Sequence, residues 1–392
     1  MIIQIDGVGT VNKGAELLLF AILQEVEARY PSATVLYNDG TFMESNQQAP
    51  YFSSKLKIIK PYYMHPAFTC ILKRFHVFGF FERFFPQLNL LRILKKGSSS
   101  HVDVVLNAAG FLFSDKFNLG QAYANNLESA LRKFKEQHAR IIYLPQAFGP
   151  IKKEGTRAAV KVLNQYADLV FAREKVSYEY LVNFGFNTEK LYQYPDFTSL
   201  VKGVFPSRFS NLKSYVCLIP NMKMVEKGVA TYDEYMYFWC SIIEVIKKSN
   251  KKAFVLNHEG IGDMRICNDI SQKNNIPMVS GLNALETKGI ISESYLVVSS
   301  RFHGVASSLS TGVPCLATSW SHKYQLLFED YKQDGCILDV SNVSLCMDEV
   351  SKMLGEKENR KCRDILCVET RRNQELSHNM WNLIWDKIYK ND

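Results

Sequence analysis

The sequence has no apolar run of 18 residues or more, so it predicts no membrane-spanning helix. Residues 1–7 have the pattern of a strand and a turn, not that of a signal peptide. No block of lysine and arginine and no zinc-finger spacing is present, which argues against nucleic acid as a partner. The net charge of +8, from 47 basic and 39 acidic residues, favours smaller anionic partners such as phosphates, nucleotides or acidic lipids.

The nine cysteines also lack the spacing of a metal or redox site. Their number is odd, no Cys-x-x-Cys pair occurs, and several lie in apolar runs. This pattern is typical of free, buried thiols in a cytoplasmic protein. The sequence also lacks the Gly-x-Ser-x-Gly elbow of many serine hydrolases, and Cys315 lies in an apolar run where burial makes a thiol inert. The sequence therefore does not predict a serine or cysteine nucleophile.

The sequence does contain a repeated alternation of short apolar strands and amphipathic helices. The strands of the first half are predicted at residues 2–6, 102–106, 141–144 and 169–172. Those of the second half are predicted at residues 215–219, 253–256, 296–298 and 315–317. Such alternation predicts an α/β fold whose parallel sheets are covered by helices on both faces.

A length of 392 residues predicts two domains. The pattern loosens around residues 195–213, which are rich in proline, glycine and serine. We therefore expect an amino-terminal domain over residues 1–205 and a carboxy-terminal domain over residues 206–392. The polar helical tail, from about residue 356, carries an apolar stripe with which we expect it to pack back onto the first domain. The stripe consists of Trp381, Leu383, Ile384, Trp385 and Ile388.

The most informative segment follows the predicted strand at residues 296–298. Ser299 and Ser300 lead into Arg301 and His303, then a helical stretch, and then Gly-Val-Pro before the next strand. In open parallel sheets ligands bind at this edge, and a helix amino terminus there adds free N–H groups and a positive dipole end. Arginine binds phosphate or carboxylate through two hydrogen bonds, and histidine carries a proton near neutral pH. The segment therefore predicts a small anionic substrate and acid–base chemistry. The alternative is an arginine that caps the sheet edge beside a histidine packed on the helix.

Other strand ends of the second half carry polar side chains that we expect to converge on the same anion site. These are Asn221, Lys223, His258, Glu259 and Lys323. A metal site is a weaker interpretation, because His258, Glu259, His303 and His322 could approach one another but have no ligand spacing that requires it.

Loops after strands of the first half provide candidates for binding a second substrate. The candidates are Asn12, Lys13, Glu16, Gly110, Asp115 and Gln146. The glycines before Asn12 miss the Gly-x-Gly-x-x-Gly spacing, so dinucleotide binding is discounted and a plain turn is the alternative. Gly110 would allow a ligand to approach closely, and Asp115 would either bond a sugar hydroxyl or cap a helix.

Residues 67–96 combine seven phenylalanines with six lysines and arginines and a single acid, Glu82. This composition fits an amphipathic surface that contacts anionic lipid, which would place the protein at the inner face of the membrane. The other interpretation is a pair of helices that cover the sheet and keep their basic residues in solvent.

These motifs, taken in order, resemble the polysaccharide pyruvyl transferase family. The segments that carry the resemblance are Gly14-Ala15-Glu16, residues 107–115, residues 144–150, residues 171–174 with Ser177, Pro195-Asp196, and residues 300–314 with Lys323. The resemblance implies two Rossmann-like domains that face each other across a cleft, as in GT-B glycosyltransferases. It also implies that pyruvate moves from phosphoenolpyruvate to two hydroxyls of a sugar, in a polysaccharide or its lipid-linked precursor, with a ketal and phosphate as products. It implies no cofactor and no metal.

The resemblance further implies that Arg301 contacts the donor anion and that His303 is the general acid, acting as an imidazolium. We expect donor contacts from the second half, by Asn221, Lys223, His258, Ser300 and Lys323. We expect acceptor contacts from the first half, by Asn12, Lys13, Glu16, Gly110, Asp115 and Gln146. Asp115 or Glu16 is the expected acceptor of the hydroxyl proton.

The sequence departs from the family pattern in Ala109-Gly110, where many members have two glycines, in Lys13-Gly14, and in Lys223, where an arginine is common. The alternative functions are a glycosyltransferase of the same build that uses a nucleotide sugar, and a sugar- or phosphate-binding module without catalytic activity.

Overall fold

The computed structural model describes residues 1–9, 12–37, 57–59, 101–319 and 323–389, with the backbone alone at 57–59. The segment 67–96, with its predicted lipid contact, and His322 lie outside these residues. None of the helices in the described ranges has the length and hydropathy needed to cross a membrane.

Seven parallel strands form the first sheet, in the order β3-β2-β1-β4-β5-β6-β7. The strands are β1 (Ile2–Asp6), β2 (Thr34–Tyr37), β3 (Lys57–Ile59), β4 (Val104–Asn107), β5 (Arg140–Gln146), β6 (Leu169–Ala172) and β7 (Leu191–Gln193). The direction in which strands are added reverses between β1 and β4. A crevice for a ligand is expected outside the carboxyl ends of the strands at such a point.

Helices cover both faces of this sheet. They are α1 (Lys13–Arg29), α2 (Gln121–Glu136), α3 (Glu154–Tyr166) and α4 (Lys175–Phe184). The apolar residues of α1 pack against one face, and those of α2 and α3 pack against the other. α1 begins where the Asn12 side chain accepts hydrogen bonds from the N–H groups of Gly14 (2.9 Å) and Ala15 (3.1 Å). This cap fixes the first turn of α1 at the carboxyl edge of the sheet.

The second sheet has six parallel strands in the order β10-β9-β8-β11-β12-β13. They are β8 (Val216–Ile219), β9 (Ala253–Leu256), β10 (Met278–Val279), β11 (Leu296–Ser299), β12 (Cys315–Thr318) and β13 (Ile337–Leu338). Its helices are α5 (Lys223–Glu226), α6 (Tyr232–Lys248), α7 (Ile261–Asn274), α8 (Ala284–Ser292), α9 (Phe302–Leu309), α10 (Lys323–Asp330), α11 (Val343–Leu354) and α12 (Glu356–Tyr389). Here the strand order reverses between β8 and β11. Arg301 lies two residues after the end of β11 and therefore at this second crevice.

Two helices of the second half join the sheets to each other. Leu285 of α8 belongs to the apolar cluster of α1, and its carbonyl accepts a hydrogen bond from the Val204 N–H at 2.9 Å. The long helix α12 starts against the second core and ends in the first, where Trp381 and Trp385 stack at 5.6 Å between ring centroids. The indole N–H of Trp385 donates to Glu25 of α1 at 3.0 Å. These contacts fix how the two carboxyl edges face each other.

The predicted α/β class, with two parallel sheets, is confirmed. The strands predicted at residues 169–172 and 253–256 have the bounds that the structure shows for β6 and β9. The chain leaves the first sheet at Gln193 and enters the second at Val216, and we keep residue 205 as the proposed end of the first domain.

Candidate functional site

His303 lies between the two halves of the molecule, against the first turn of α1. If Gly14 carried a Cβ, that atom would lie 2.0 Å from Nδ1 and 2.1 Å from Cε1 of His303. Such distances are far inside van der Waals contact, so the imidazole fits here because residue 14 has no side chain. The Gly14 motif of the first half and the Arg301-Phe302-His303 motif of the second thus form one site.

The turn from β11 into α9 sets the direction of Arg301. The Arg301 N–H donates to Ser299 Oγ at 3.1 Å, and that hydroxyl donates to the Arg301 carbonyl at 3.0 Å. Gly304 allows the first turn of α9 to lie close to the sheet, because a Cβ there would be 2.6 Å from Ser299 Oγ. The backbone of Arg301 is therefore fixed before any ligand binds.

Ser300 and Asn221, both expected to touch the donor, are instead part of a buried hydrogen-bond network. The Ser300 hydroxyl lies 2.6 Å from both Tyr235 Oη and Thr318 Oγ1. Its carbonyl accepts hydrogen bonds from Asn221 Nδ2 (2.9 Å) and Tyr324 Oη (2.8 Å). Ser300 and Asn221 each have at most 1% of their surface exposed. The geometry therefore gives these two residues a positioning role and argues against direct donor contact.

Two carboxylates hold the guanidinium of Arg301. Asp263 Oδ2 lies 2.8 Å from Nε and 2.6 Å from Nη2, and Glu259 Oε2 pairs with Nη1. Burial lowers the pKa of Arg301 to about 10 and raises that of Asp263 to about 6, so the arginine is charged at neutral pH. The Asp263 side chain is fully buried, whereas that of Glu259 is 20% exposed. A ligand anion at Arg301 would therefore compete with Glu259.

His258 adds a buried, unpaired ring nitrogen to this cluster. Its exposure is 3%, and Nδ1 has no hydrogen-bond partner. Burial lowers the pKa of His258 well below its usual range, and the positive charges of Arg301 and Lys13 lower it further. Buried polar atoms of native proteins normally have a partner, so an unpaired one beside several positive groups indicates a place for an anion.

A second cationic group, formed by Arg173 and Lys323, lies around the ring of Phe302. The guanidinium of Arg173 lies over the Phe302 ring at 5.0 Å, and Lys323 Nζ lies 4.7 Å from the centre of the same ring. Arg173 Nη1 is 3.6 Å from Asp196 Oδ2. These residues line a small cavity between the halves, of about 30 Å³. The sequence patterns assign no role to Arg173 or Asp196, although Arg173 directly follows β6 and Asp196 lies three residues after β7.

Burial and neighbouring charges set the protonation states of His303, Asp196 and Lys323. Burial lowers the pKa of His303 to about 4, against the opposing attraction of Asp196. Desolvation acts to raise the pKa of Asp196, but Arg173 and His303 lower it overall. Burial, followed by the Arg173 charge, lowers the pKa of Lys323 to about 8. His303 is therefore a neutral imidazole at neutral pH in the ligand-free protein, and the expected imidazolium requires a bound anion.

A lysine of the second half supports the turn that holds Asp196. Asp196 Oδ1 accepts hydrogen bonds from the Thr198 N–H (2.9 Å) and the Thr198 hydroxyl (2.6 Å). The fully buried Lys288 of α8 donates to the Thr198 carbonyl at 2.7 Å. Burial lowers the pKa of Lys288 to about 7. The carboxylate that faces His303 thus depends on residues of both halves.

Lys223, expected at the donor, lies further towards the surface. Its ammonium pairs with Glu226, and its side chain is 46% exposed. Its N–H donates to Asn221 Oδ1 at 2.9 Å, which places the backbone of Lys223 at the site edge but directs its charge to solvent.

Lys13 and Glu16 form a pair at the start of α1, with Lys13 Nζ 2.7 Å from Glu16 Oε2. The same oxygen accepts a hydrogen bond from the Ala284 N–H at 3.2 Å, at the amino terminus of α8. Glu16 is fully buried. It links α1 to α8, and this geometry argues against the expected role of Glu16 as the base for a sugar hydroxyl.

Asp115 also has hydrogen-bond partners away from the site of His303. Its carboxylate accepts hydrogen bonds from the N–H groups of Lys152 (2.8 Å) and Lys153 (3.0 Å). Desolvation acts to raise the pKa of Asp115, but these hydrogen bonds lower it overall. A carboxylate that is so stabilised in its charged form is a weak base, which argues against the second expected base as well.

Gly110 and Gln146 remain the strongest candidates of the first sheet. Gly110 has a φ of +70°, and no atom lies within 4 Å of the position that a Cβ would take. Gln146 is fully buried at the end of β5, and neither polar atom of its side chain has a hydrogen-bond partner. An open backbone and an unpaired amide are features that a hydroxyl-rich ligand can use.

No group of three or more histidine, cysteine, aspartate or glutamate side chains in the described ranges has an arrangement that could hold a metal ion. The fourth member of the metal interpretation, His322, lies outside those ranges.

Comparison with known proteins gives both a family and a fold. The family model for polysaccharide pyruvyl transferase matches residues 12–322, which include Arg301 and His303. No curated protein matches the chain by sequence.

Solved structures resemble the chain over its whole length. UDP-GlcNAc 2-epimerase from Neisseria meningitidis, bound to UDP-GlcNAc, has a TM-score of 0.61 at 13% identity and covers 100% of both chains. A putative UDP-N-acetylglucosamine 2-epimerase from Listeria monocytogenes has a TM-score of 0.58 at 12% identity, covering 100% of this chain and 97% of that one. HepE from Anabaena, in complex with UDP, has a TM-score of 0.55 at 12% identity and covers 99% of both. At such identities the likeness concerns the fold, and the expected GT-B architecture is confirmed.

Proposed function

The chain belongs to the polysaccharide pyruvyl transferase family, and we propose that it transfers pyruvate from phosphoenolpyruvate to two hydroxyls of a sugar. The sugar belongs to a polysaccharide or to its lipid-linked precursor, and the products are a ketal and phosphate. The observation that supports this most is the convergence of Arg301, Arg173 and Lys323 around His303 at the boundary between the sheets.

Donor binding follows from the charges at this boundary. Phosphoenolpyruvate is a small trianion, and Arg301, Arg173 and Lys323 supply positive charge around His303. The amino terminus of α9 adds its N–H groups and dipole. Partial burial strengthens each of these attractions, because the surroundings are less polarisable than water. Arginine binds a planar carboxylate or a phosphate through two hydrogen bonds, and lysine acts as a point charge.

His303 then supplies the proton. The bound trianion raises the pKa of the imidazole from its ligand-free value of about 4, and the Asp196 carboxylate acts in the same direction. The imidazolium protonates the terminal methylene carbon, and carbon 2 becomes an electrophile that resembles an oxocarbenium ion. The general acid is therefore charged mainly when the donor is present, which limits proton transfer to the occupied site.

The sugar approaches from the first sheet. Gly110 provides open backbone, and Gln146 has both amide atoms available for hydrogen bonds. Asn12 and Lys13 lie at the start of α1, next to the Gly14 position where His303 packs. One hydroxyl attacks carbon 2, and a second hydroxyl replaces phosphate and closes the ketal. Holding both substrates across the boundary lowers the barrier by as much as roughly 7–11 kcal/mol.

The test is a release assay with purified protein. Phosphate release from phosphoenolpyruvate is measured with a panel of sugar acceptors, alongside release of UDP or GDP from sugar nucleotides. We expect phosphate release that depends on the acceptor and yields a product heavier by one pyruvyl ketal. Nucleotide release without phosphate release from phosphoenolpyruvate would support the alternative, a nucleotide-sugar glycosyltransferase, which the UDP complexes of similar fold suggest.

A further inference from the structure

Glu259 touches a residue of each half of the molecule. It lies in the loop between β9 and α7, where Oε2 pairs with Arg301 and Oε1 accepts a hydrogen bond from Asn12 Nδ2. Arg301 belongs to the donor side and Asn12 to the acceptor side of the proposed site. With 20% of its side chain exposed, Glu259 is also accessible from the boundary between the sheets.

We propose that Glu259 takes the proton of the attacking sugar hydroxyl, and that the donor frees Glu259 for this task by drawing Arg301 away from it. This inference rests on the proposed function and deepens it. It assigns the base, a role for which the carboxylates of Asp115 and Glu16 are committed to other contacts.

Two carboxylates hold Arg301 in the ligand-free protein. An incoming trianion needs guanidinium hydrogens that Asp263 and Glu259 occupy. Asp263 is fully buried and also accepts a hydrogen bond from the Met222 N–H at 2.9 Å, so it stays in place. Glu259 is the more exposed of the two carboxylates, so an incoming anion displaces it from Arg301 more easily.

Losing Arg301 changes the chemistry of Glu259. A carboxylate beside a guanidinium is stabilised in its charged form and is a weak base. Once Arg301 turns to the donor, Glu259 loses that cation and faces the added negative charge of the trianion, and both changes make it a stronger base. Asn12 still holds one carboxylate oxygen, which keeps the group on the acceptor side. The base therefore becomes effective when the donor is bound.

The step balances as follows. As the first hydroxyl oxygen bonds to carbon 2, its proton passes to Glu259, and the carbon 2–carbon 3 π electrons take a proton from His303. The second hydroxyl oxygen then bonds to carbon 2, the bond from carbon 2 to the phosphate oxygen breaks, and this second proton leaves with phosphate as HPO₄²⁻. The trianion and a neutral diol thus give a monoanionic ketal and HPO₄²⁻. The proton on Glu259 returns to His303 through solvent.

The test compares Glu259→Gln, Glu259→Asp and Glu259→Ala with a matched control, Glu244→Gln. Glu244 is 60% exposed on α6 and pairs with Lys248. We expect Glu259→Gln to lower kcat for phosphate release by about 10²–10⁴-fold, as for other general bases. Affinity for phosphoenolpyruvate, measured by calorimetry, should stay the same or tighten, because a competing carboxylate is gone. Glu259→Asp should recover part of the rate.

Chemical rescue by a small carboxylate distinguishes a general base from a residue that only holds Arg301 in place. Added formate should restore part of the Glu259→Ala rate but leave the control unchanged, since a small carboxylate can occupy the space of the missing one. If Glu259→Gln keeps its kcat while donor affinity changes, Glu259 only holds Arg301 in place and the inference is wrong. If the wild type itself releases no phosphate from phosphoenolpyruvate, the proposed function fails first.

Discussion

The carboxyl edges of the two sheets, alike in topology, are built differently. At the second sheet, Arg301 and His303 are largely buried, surrounded by carboxylates, and have shifted pKa values. At the first sheet, Gly110 faces open space and Gln146 has an unpaired amide. This difference is the one that the proposed reaction requires. The proposed donor, a small trianion, needs binding charges that are fixed in advance, whereas the proposed sugar acceptor needs room and a few hydrogen bonds.

The largest expected effect lies at the second edge. His303→Asn should lower kcat by about 10²–10⁴-fold, because it removes the proton donor. Donor affinity should change little, since Arg301, Arg173 and Lys323 remain. Phosphate release and calorimetric titration with phosphoenolpyruvate measure the two quantities. His138→Asn is the control, because His138 is exposed and its φ of +61° suits asparagine. Unchanged turnover in His303→Asn would remove this residue from the mechanism.

Arg301→Ala should act on donor binding. Losing one member of a buried, hydrogen-bonded charge pair costs about 2–5 kcal/mol, and each 1.4 kcal/mol is tenfold in affinity. We therefore expect the Kd for phosphoenolpyruvate to rise by roughly 30-fold or more. Arg301→Lys should fall in between, because lysine keeps the charge but not the paired hydrogen bonds. A thermal melt checks folding, and normal donor affinity in a folded variant would contradict the role of Arg301.

Gly14→Ala tests whether the carboxyl edge of the first sheet positions His303 at the edge of the second. The new Cβ would lie 2.0 Å from His303 Nδ1, so the imidazole or the α1 turn must move. A misplacement of about 1 Å can cost about 10²-fold in rate, and we expect a loss of up to this size in kcat. Gly120→Ala is the matched control, because no atom lies within 4 Å of the Cβ position there. Equal rates in the two variants would show that the Gly14 contact with His303 does not matter for turnover.

Gln146→Leu probes the first edge alone. Leucine has a similar size but cannot bond a hydroxyl, and a lost hydrogen bond to a bound ligand costs about 1–3 kcal/mol. We expect the KM for the sugar to rise by roughly tenfold or more, with donor affinity and folding stability preserved. A KM that stays the same, in a variant as stable as or more stable than the wild type, would assign Gln146 to the core instead.

The smallest expected effect is the uptake of protons when the donor binds. Donor binding should raise the pKa of His303 from about 4, so the complex takes up protons near pH 7 and affinity falls as the pH rises. Calorimetry in buffers of different ionisation enthalpy measures this uptake. Lys323, with a pKa of about 8, contributes as well, so the difference between wild type and His303→Asn isolates the histidine. Equal uptake in the two proteins would contradict the proposed charging of His303.

Much of the fold is predictable from local pattern. β6 and β9 are continuous apolar runs between polar loops, which is typical of strands buried on both faces. The edge strands β10 and β13 are two residues long, too short for any periodicity to reveal them.

The candidate site is predictable at its centre and less so around it. Arg301 and His303 stand out because they directly follow a strand. The strand-end pattern also predicts Glu259 at this site, but Asp263 and Asp196 lie far away in the sequence, and only tertiary packing brings them there. The charge state of His303 follows from burial at the boundary, which a single sequence does not show. For the same reason the sequence predicts donor contacts by Ser300 and Asn221 but does not predict the buried hydrogen-bond network that joins them.

The most direct test of the central claim is to run the reaction in D₂O and examine the ketal methyl group by mass spectrometry. If phosphoenolpyruvate is the donor and its methylene is protonated in the enzyme by an exchangeable imidazolium, the product carries a deuterium in that methyl group, and His303→Asn forms little product. A ketal with an unlabelled methyl group, or labelled product formed at the normal rate by His303→Asn, would contradict the account.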